Sequence, residues 1–177
     1  NTGISLEHYY SANCPEKVFR KIYRLYDEKL RKSRLIDFDD MLVYTEELFR
    51  ERADILSAWQ KKYQYILIDE FQDINKVQFD IIKMLARPKN NLFVVGDDDQ
   101  SIYRFRGAKP EIMLGFEKEY PDTKKILLDT NYRSRGDIVA LTIQLINHNK
   151  ERYFKKIKAA RACGDSVSFT LYENQRE

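Results

Sequence analysis

Apolar residues recur at helical spacing through the first third of the chain. One such pattern runs from Pro15 to Lys32, and a second runs from Asp37 to Trp59. At the start of the second pattern, Asp37 stands directly before Phe38 with Asp40 three residues later, an arrangement that predicts an N-terminal cap for that helix. The chain is therefore predicted to open with a helical segment.

The rest of the chain alternates between short apolar runs and amphipathic stretches. The predicted strands are 65–68, 92–95, 125–128 and 166–171, and the predicted helices are 76–86, 110–118 and 136–148. This alternation favours an α/β fold in which helical crossovers join the strands of a parallel sheet. The basic stretch 150–164 has no clear period, and it is predicted to be a linker or a loosely packed segment.

Two adjacent carboxylates, Asp69 and Glu70, follow the apolar run 65–68. Ligands of open α/β sheets bind at the carboxyl ends of the strands. One carboxylate can hold a Mg²⁺ ion that bridges nucleotide phosphates, and its neighbour can orient or deprotonate an attacking water. This is the Walker B arrangement. Many strands also end in an acid for solubility or to cap the next helix, so the pair alone leaves both interpretations open.

Three segments follow one another in a distinctive order, namely Asp69-Glu70-Phe71-Gln72-Asp73, Gly96 to Tyr103, and Asn131-Tyr132-Arg133-Ser134. Their order and spacing resemble motifs II, III and IV of superfamily 1 DNA helicases of the UvrD, PcrA and Rep type. The resemblance extends to Asp37–Met41 and to Arg106-Gly107-Ala108. It implies a partial RecA-like sheet of the P-loop NTPase kind. It also implies ATP and Mg²⁺ as cofactors, and single-stranded DNA or DNA with single-stranded tails as the partner.

The resemblance also assigns roles at the nucleotide. Asp69 would hold Mg²⁺, Glu70 would activate the attacking water, and Gln100 would sense the γ-phosphate through its neutral amide. Tyr132 would stack on adenine, and Arg133 would reach the γ-phosphate. Arginine suits that role because its planar fork forms charge-assisted hydrogen bonds to phosphate oxygens.

Aromatic and cationic residues alternate from Tyr103 to Arg106. This alternation suits single-stranded nucleic acid, because bases stack on the rings while guanidinium groups meet the phosphates. The resemblance places the stacking ring at Phe105, where relatives commonly carry Trp, and Tyr103 and Arg106 complete the predicted DNA contact. Ordinary core packing is the alternative interpretation of Phe105.

The remaining polar residues of these motifs have two interpretations each. The resemblance implies that Gln72 and Asp73 link the nucleotide site to neighbouring motifs, and the alternative is that they cap the helix that begins near Asn75. The three carboxylates of Asp97–Asp99 could suggest a metal cluster. We expect them to be hydrogen-bonded loop acids, because an unpaired trio is costly unless it is solvated or coordinated.

Charge and cysteine content narrow the class of protein. The 177 residues include 31 Lys and Arg against 28 Asp and Glu, a net charge of +3, so a nucleic-acid surface would have to come from local patterning. Cys14 and Cys163 are far apart, and His8 and His148 are isolated. The two cysteines are therefore predicted to be reduced thiols of a cytoplasmic protein, and a metal site is not expected. The two histidines are expected at the surface or hydrogen-bonded in the core. No apolar run of 18 residues exists, so no membrane span is expected, and the sequence does not indicate an oligomeric state.

A phosphate-binding loop of the form GxxxxGK[ST] does not occur in the sequence. In the family this loop lies upstream of motif II. The chain is therefore expected to be an internal slice of a longer helicase, with the Walker A loop and motifs V and VI outside it. Residues 1–35 would end a helical insertion of the 1B type, 36–129 would be the second part of the first motor domain (1A), and 130–177 would begin the second (2A).

The resemblance predicts that the parent protein is an ATP-dependent DNA helicase or translocase with 3′-to-5′ polarity, acting in DNA repair or replication. The isolated chain is expected to be inactive, because phosphate binding is what positions this reaction. Three alternatives remain open at this stage. They are a degenerate, non-catalytic DNA-binding relative, the helicase subunit of a helicase–nuclease, and a metal-dependent nuclease built on Asp69, Glu70, Asp73 and Asp97–Asp99.

Overall fold

The computed structural model describes residues 13–103, 105, 107–164 and 167–171. The chain divides into two compact units, Asn1–Phe116 and Glu117–Glu177. Among the described residues each unit contains a two-stranded parallel sheet together with helices. The predicted α/β character is confirmed at this level. The larger RecA-like sheet and the three-segment domain division remain predictions.

Three helices open the first unit, α1 (Glu16–Ser33), α2 (Phe38–Glu51) and α3 (Ala53–Lys62). The predicted cap of α2 is confirmed. Asp37 Oδ1 accepts from the Asp40 N–H at 2.8 Å, and Asp40 Oδ2 accepts from the Asp37 N–H at 3.2 Å. The Asp40 N–H lowers the pKa of the Asp37 carboxyl; burial opposes this effect, and the Tyr26 hydroxyl reinforces it from 2.9 Å.

The single helix predicted from Asp37 to Trp59 was wrong. The backbone leaves the helical region at Arg52, with φ −118° and ψ 81°, and α3 starts at the next residue. The sequence carries no glycine or proline at this point that would signal a break. The Arg52 guanidinium spans the break and binds the Asp54 carboxylate with bonds of 2.9 and 2.7 Å.

The sheet of the first unit pairs β1 (Ile66–Ile68) with β2 (Leu92–Val94), and the crossover between them contains α4 (Lys76–Ala86). The strands are parallel, with Ile66 opposite Leu92 and Ile68 opposite Val94. Both strands and the helix were predicted within one residue of their ends. Asn75 caps α4, because its side chain accepts from the Gln78 N–H at 2.9 Å and the Gln78 side chain accepts from the Asn75 N–H.

An aromatic cluster forms the core of the first unit. Phe71, just after β1, is fully buried. Its ring contacts Phe79 of α4 and Phe116 edge to face, with centroid distances of 6.0 and 5.3 Å. Since Phe71 directly follows the acidic pair, this core anchors the segment that carries the pair.

The helix predicted over 110–118 is divided in two, α5 (Pro110–Leu114) and α6 (Phe116–Glu119). Gly115 separates them and donates its N–H to Glu111 O at 2.9 Å, which ends α5. Within the described residues, no helix is both long enough and apolar enough to cross a bilayer.

The second unit contains β3 (Thr130–Arg135), α7 (Gly136–Ile146) and β4 (Lys158–Arg161). The helix was predicted, but neither strand was. β3 and β4 are parallel, and the Arg161 guanidinium donates to Arg133 O at 2.9 Å. Residues 150–164, expected to be a linker or a loose segment, thus include a paired strand, which their basic and poorly periodic sequence did not predict.

Two predicted strands of this unit were wrong. Residues 125–128 form no strand, and the side chains of Ile126, Leu127 and Leu128 are exposed. Residues 167–171 likewise form no strand, while Ser166, the first residue of that prediction, lies outside the described residues. An apolar run becomes a strand only where a neighbouring strand accepts its hydrogen bonds, and neither run has such a neighbour among the described residues.

Candidate functional site

The acidic segment and the motif III loop meet at the carboxyl edge of the β1–β2 pair. Beyond the strands, the Val95 N–H donates to Ile68 O at 2.8 Å and the Phe71 N–H donates to Val95 O at 2.9 Å. These two bonds continue the parallel register past the ends of the strands. They place Asp69 and Glu70 beside the segment that starts at Gly96.

Glu70 has a backbone conformation that is uncommon for a residue with a side chain. Its φ of 51° and ψ of 41° lie in the left-handed region. Its N–H donates to Asp69 Oδ1 at 2.9 Å. Glu70 is also the N-cap residue of a short 3₁₀ turn over Phe71–Asp73. Both acidic side chains are exposed to solvent, so a ligand at this edge would have access to them. Strained backbone at such an edge is a frequent property of functional sites.

Gln72 is the central polar residue of the site. Its side chain is only 2% exposed, yet both ends of its amide are hydrogen-bonded. Nε2 donates to Glu70 Oε2 at 2.8 Å, and Oε1 accepts from the Asp97 N–H at 3.0 Å. The Gln72 carbonyl also accepts from the Ser101 hydroxyl at 3.1 Å. Since Asn75 caps α4, the alternative in which Gln72 caps that helix is wrong.

The loop after β2 is arranged by the carboxylate of Asp97. Asp97 Oδ1 accepts from the Asp99 N–H at 3.2 Å, and Oδ2 accepts from Gln100 Nε2 at 2.7 Å. Asp98–Gln100 forms a 3₁₀ turn that leaves the Gln100 side chain exposed. Asp97 is therefore a hydrogen-bonded loop acid, as expected.

The predicted DNA-binding residues follow this loop. Tyr103 and Phe105 are both exposed, and their ring centroids lie 5.9 Å apart at an interplanar angle of 53°. The loop is closed by Gly107, whose φ of 87° is in the glycine-favoured region, and by the Ala108 N–H, which donates to Tyr103 O at 3.3 Å. Arg106, the third predicted DNA contact, lies outside the described residues.

Tyr132 and Arg133 lie on β3 in the second unit, and both side chains are exposed. Asn131 shapes the backbone around them, because its Oδ1 accepts from the Arg133 N–H at 3.0 Å and from the Ser134 N–H at 2.8 Å. These contacts give the asparagine of motif IV a local structural role that the sequence did not assign.

The start of α7 follows directly on this strand. Asp137, in its first turn, has a lowered pKa, mainly because the Gly164 N–H donates to its Oδ1 at 3.0 Å. The Arg135 guanidinium lies 3.3 Å from Oδ2 of the same carboxylate.

The structure thus brings Asp69, Glu70 and Gln100 to one edge of the β1–β2 pair, with Gln72 and Asp97 between them. The sequence analysis gave a link to neighbouring motifs as one interpretation of Gln72, but it did not predict the partners, Glu70 and the Asp97 N–H. The placement of Gln72 between a strand-end acid and a buried crossover was the available signal. Among the described residues, no group of three or more His, Cys, Asp or Glu side chains is placed to hold a metal ion.

Comparison with known proteins addresses the family directly. The model of the UvrD/REP helicase N-terminal domain matches residues 2–121, which is more than half of the chain. The chain belongs to the UvrD/REP helicase family. The matched range includes Asp69, Glu70, Gln100 and Phe105, whereas Tyr132 and Arg133 lie beyond its end.

Individual relatives agree with this membership of the UvrD/REP family. The chain is 49% identical over 146 residues to a putative ATP-dependent DNA helicase, YjcD, of Bacillus subtilis. These aligned residues cover 82% of the chain and 19% of that protein. It is 39% identical to the ATP-dependent DNA helicase PcrA of Leuconostoc citreum, over 93% of the chain and 22% of that protein. It is also 39% identical to the ATP-dependent DNA helicase Rep of Buchnera aphidicola, over 91% of the chain and 24% of that protein. The chain therefore spans about a fifth to a quarter of the length of these relatives.

Proposed function

We propose that the chain is part of an ATP-dependent DNA helicase or translocase, which couples ATP hydrolysis to movement on single-stranded DNA with 3′-to-5′ polarity. The observation that carries the proposal is the hydrogen-bonded frame at the edge of β1 and β2. Glu70, Gln72, Asp97 and Gln100 are linked there side by side. Membership of the UvrD/REP family, and relatives named as ATP-dependent DNA helicases, support the same reading.

The first unit is proposed to be part of a larger RecA-like sheet. Leu67 and Phe93 are opposite each other in the β1–β2 register, yet they are 72% and 59% exposed. Parallel strands in α/β proteins are normally covered on both faces, and their apolar residues are then buried. Further elements of the full-length protein would cover this face.

In the proposed mechanism Glu70 accepts a proton from the attacking water, and Gln100 donates its amide N–H to the γ-phosphate while its oxygen orients that water. Asp69 would hold Mg²⁺. The donor set fits this ion, because Mg²⁺ is usually bound by one or two carboxylates together with substrate phosphates. The ion would neutralise charge on the phosphate oxygens.

The second unit would contribute from β3. Tyr132 would stack on adenine, and Arg133 would bind the γ-phosphate with its planar fork. The exposed rings of Tyr103 and Phe105, with Arg106, would contact single-stranded DNA. Their position directly after Gln100 in the chain connects the proposed DNA contact to the proposed phosphate contact.

The test is ATP hydrolysis by the full-length protein with and without single-stranded DNA. We expect DNA to stimulate turnover, and Glu70→Gln to remove nearly all of it while ATP binding persists. Glu47→Gln, which alters an exposed glutamate on α2, is the matched control and should leave turnover unchanged. Normal turnover in Glu70→Gln would refute the assigned base, and a wild-type protein that binds DNA without hydrolysing ATP would favour the non-catalytic relative.

Polarity and the inactivity of the isolated chain have separate tests. Duplexes with either a 3′ or a 5′ single-stranded tail should be separated only in the first case. The 177-residue chain contains no GxxxxGK[ST] loop, and we expect no DNA-stimulated ATP hydrolysis from it alone. Appreciable turnover by the isolated chain would contradict that expectation.

A further inference from the structure

The side-chain amide of Gln72 connects two parts of the site that reach the sheet edge from different strands. Glu70 follows β1 and Asp97 follows β2, and the amide bonds to both, at 2.8 and 3.0 Å. Gln72 and Asn75 are the buried polar side chains of the described chain. The Asn75 side chain has a structural role, since it caps α4. The Gln72 side chain is instead hydrogen-bonded to Glu70, the proposed catalytic base.

Hydrogen-bond chemistry fixes which way the amide faces. The backbone N–H of Asp97 can only donate, so the amide oxygen must face it. The NH₂ group is then directed to the Glu70 carboxylate, which can only accept while it is ionised. The same NH₂ group lies 3.4 Å from Asp73 Oδ2. A carboxylate or an apolar side chain at position 72 could not satisfy both neighbours.

The close approach also depends on Gly96. A Cβ at this position would lie 2.7 Å from Gln72 Oε1, and 3.1 and 3.2 Å from the backbone nitrogens of Phe71 and Gln72. The Gln72 amide would have to move away from such a Cβ, and the two backbone nitrogens would have to shift by a few tenths of an ångström. The absence of a side chain at Gly96 therefore allows the amide to sit between the two strands.

We propose that Gln72 is a positioning residue for hydrolysis, which holds the Glu70 carboxylate at a fixed place relative to the Asp97–Gln100 loop. This inference rests on the proposed role of Glu70 as the base. Gln72 itself does not touch the nucleotide in this proposal. It fixes the distance between the group that takes the proton and the group that contacts the γ-phosphate.

The first test is Gln72→Met in the full-length protein, which keeps the side-chain length but removes both hydrogen bonds. We expect the kcat of DNA-stimulated ATP hydrolysis to fall about 10- to 100-fold, the usual effect of a misplaced catalytic group. The KM and the Kd for ATP should change by less than about twofold, because ground-state binding is not affected. A rise in KM with unchanged kcat would overturn the proposal.

Two further variants separate positioning from packing. Gln72→Glu retains an acceptor for the Asp97 N–H but replaces the donor with a carboxylate next to Glu70, and its kcat should fall at least as far as that of Gln72→Met. Gly96→Ala leaves Gln72 in place but displaces its amide, and we expect the same loss of kcat with KM retained. Wild-type kcat in Gln72→Glu would show that the bond to Glu70 is not used and would overturn the proposal.

Asn75→Ala is the matched control, since it removes the other buried amide of the same segment. It should lower the melting temperature through loss of the α4 cap while kcat per folded molecule stays at the wild-type level. An equal loss of kcat in Asn75→Ala and Gln72→Met would assign both effects to stability and overturn the proposal. Failure of the proposed function is distinguishable, because the wild-type protein would then hydrolyse no ATP or Glu70→Gln would remain active.

Discussion

Replacing Phe105 with alanine isolates the proposed stacking contact with DNA, because the ring is 78% exposed and contributes little to the core. Its described ring neighbour is Tyr103, at 5.9 Å. An aromatic pair of this kind contributes about 0.5–1.5 kcal/mol, which sets an upper range for the lost stability. A base stacked on an aromatic side chain contributes about 1–3 kcal/mol to binding. The Kd for single-stranded DNA should therefore rise about 5- to 150-fold at room temperature.

The assay is fluorescence anisotropy of a labelled oligothymidine with the full-length protein at one fixed salt concentration, because phosphate contacts make the affinity salt-dependent. Phe154→Ala is the matched control. Phe154 is 79% exposed and lies outside the three motifs, so its removal takes away the same ring area without the proposed contact. A Kd for Phe105→Ala within about twofold of wild type would refute the stacking role, since one lost base stack exceeds that change. An equal effect of Phe154→Ala would also refute it.

Three further predictions concern the second unit, the helix cap and the core. Arg133→Ala should lower the kcat of ATP hydrolysis by about 10³-fold or more, as loss of a phosphate-binding arginine does. Steady-state kinetics would measure this change in kcat, and a loss below about tenfold would contradict the proposed contact of Arg133 with the γ-phosphate. Asp37→Ala should lower the stability of α2 by about 0.5–2 kcal/mol, measured by hydrogen exchange of its amides. Because the folded-state pKa of Asp37 is lowered, its charged form stabilises the fold fully above the unfolded pKa of about 4, and this contribution is lost as the pH falls through the lowered pKa. A difference between wild type and variant that grows on acidification would contradict this sign. Phe71→Ala should lower the free energy of unfolding by about 3–5 kcal/mol in a urea titration, since the ring is fully buried. A loss below about 1 kcal/mol would contradict this prediction, because the neighbouring side chains would then have filled the cavity.

The elements that the sequence predicted well are those in which local signals and burial agree. The capped helix α4 and the strands β1 and β2 combine a clear period, turn residues and apolar runs that pack in the first unit. The predictions failed where the decisive interaction is non-local. Residues 125–128 contain large apolar side chains but are exposed, while β4 consists of two alanines between Lys158 and Arg161 and becomes a strand because β3 pairs with it. Pairing of this kind leaves no periodic trace in the sequence.

The candidate site was predictable as a set of residues but not as a network. The motif order predicted Asp69, Glu70 and Gln100 as site residues, and the parallel register explains why they share an edge. The two-sided role of Gln72 depends on the approach of Gly96 from the other strand, a distance that sequence spacing does not contain. For Arg106, the prediction falls outside the described residues.

Because the backbone of Glu70 is left-handed, selection for stability and selection for the carboxylate favour different residues at this position. A side chain in this conformation costs about 1–2 kcal/mol relative to the right-handed form, whereas glycine adopts it without that cost. A library screened only for heat tolerance would therefore favour glycine at position 70 and discard the carboxylate. Engineers who seek a more robust motor from this family should keep position 70 fixed and look for stabilising changes at exposed helix positions.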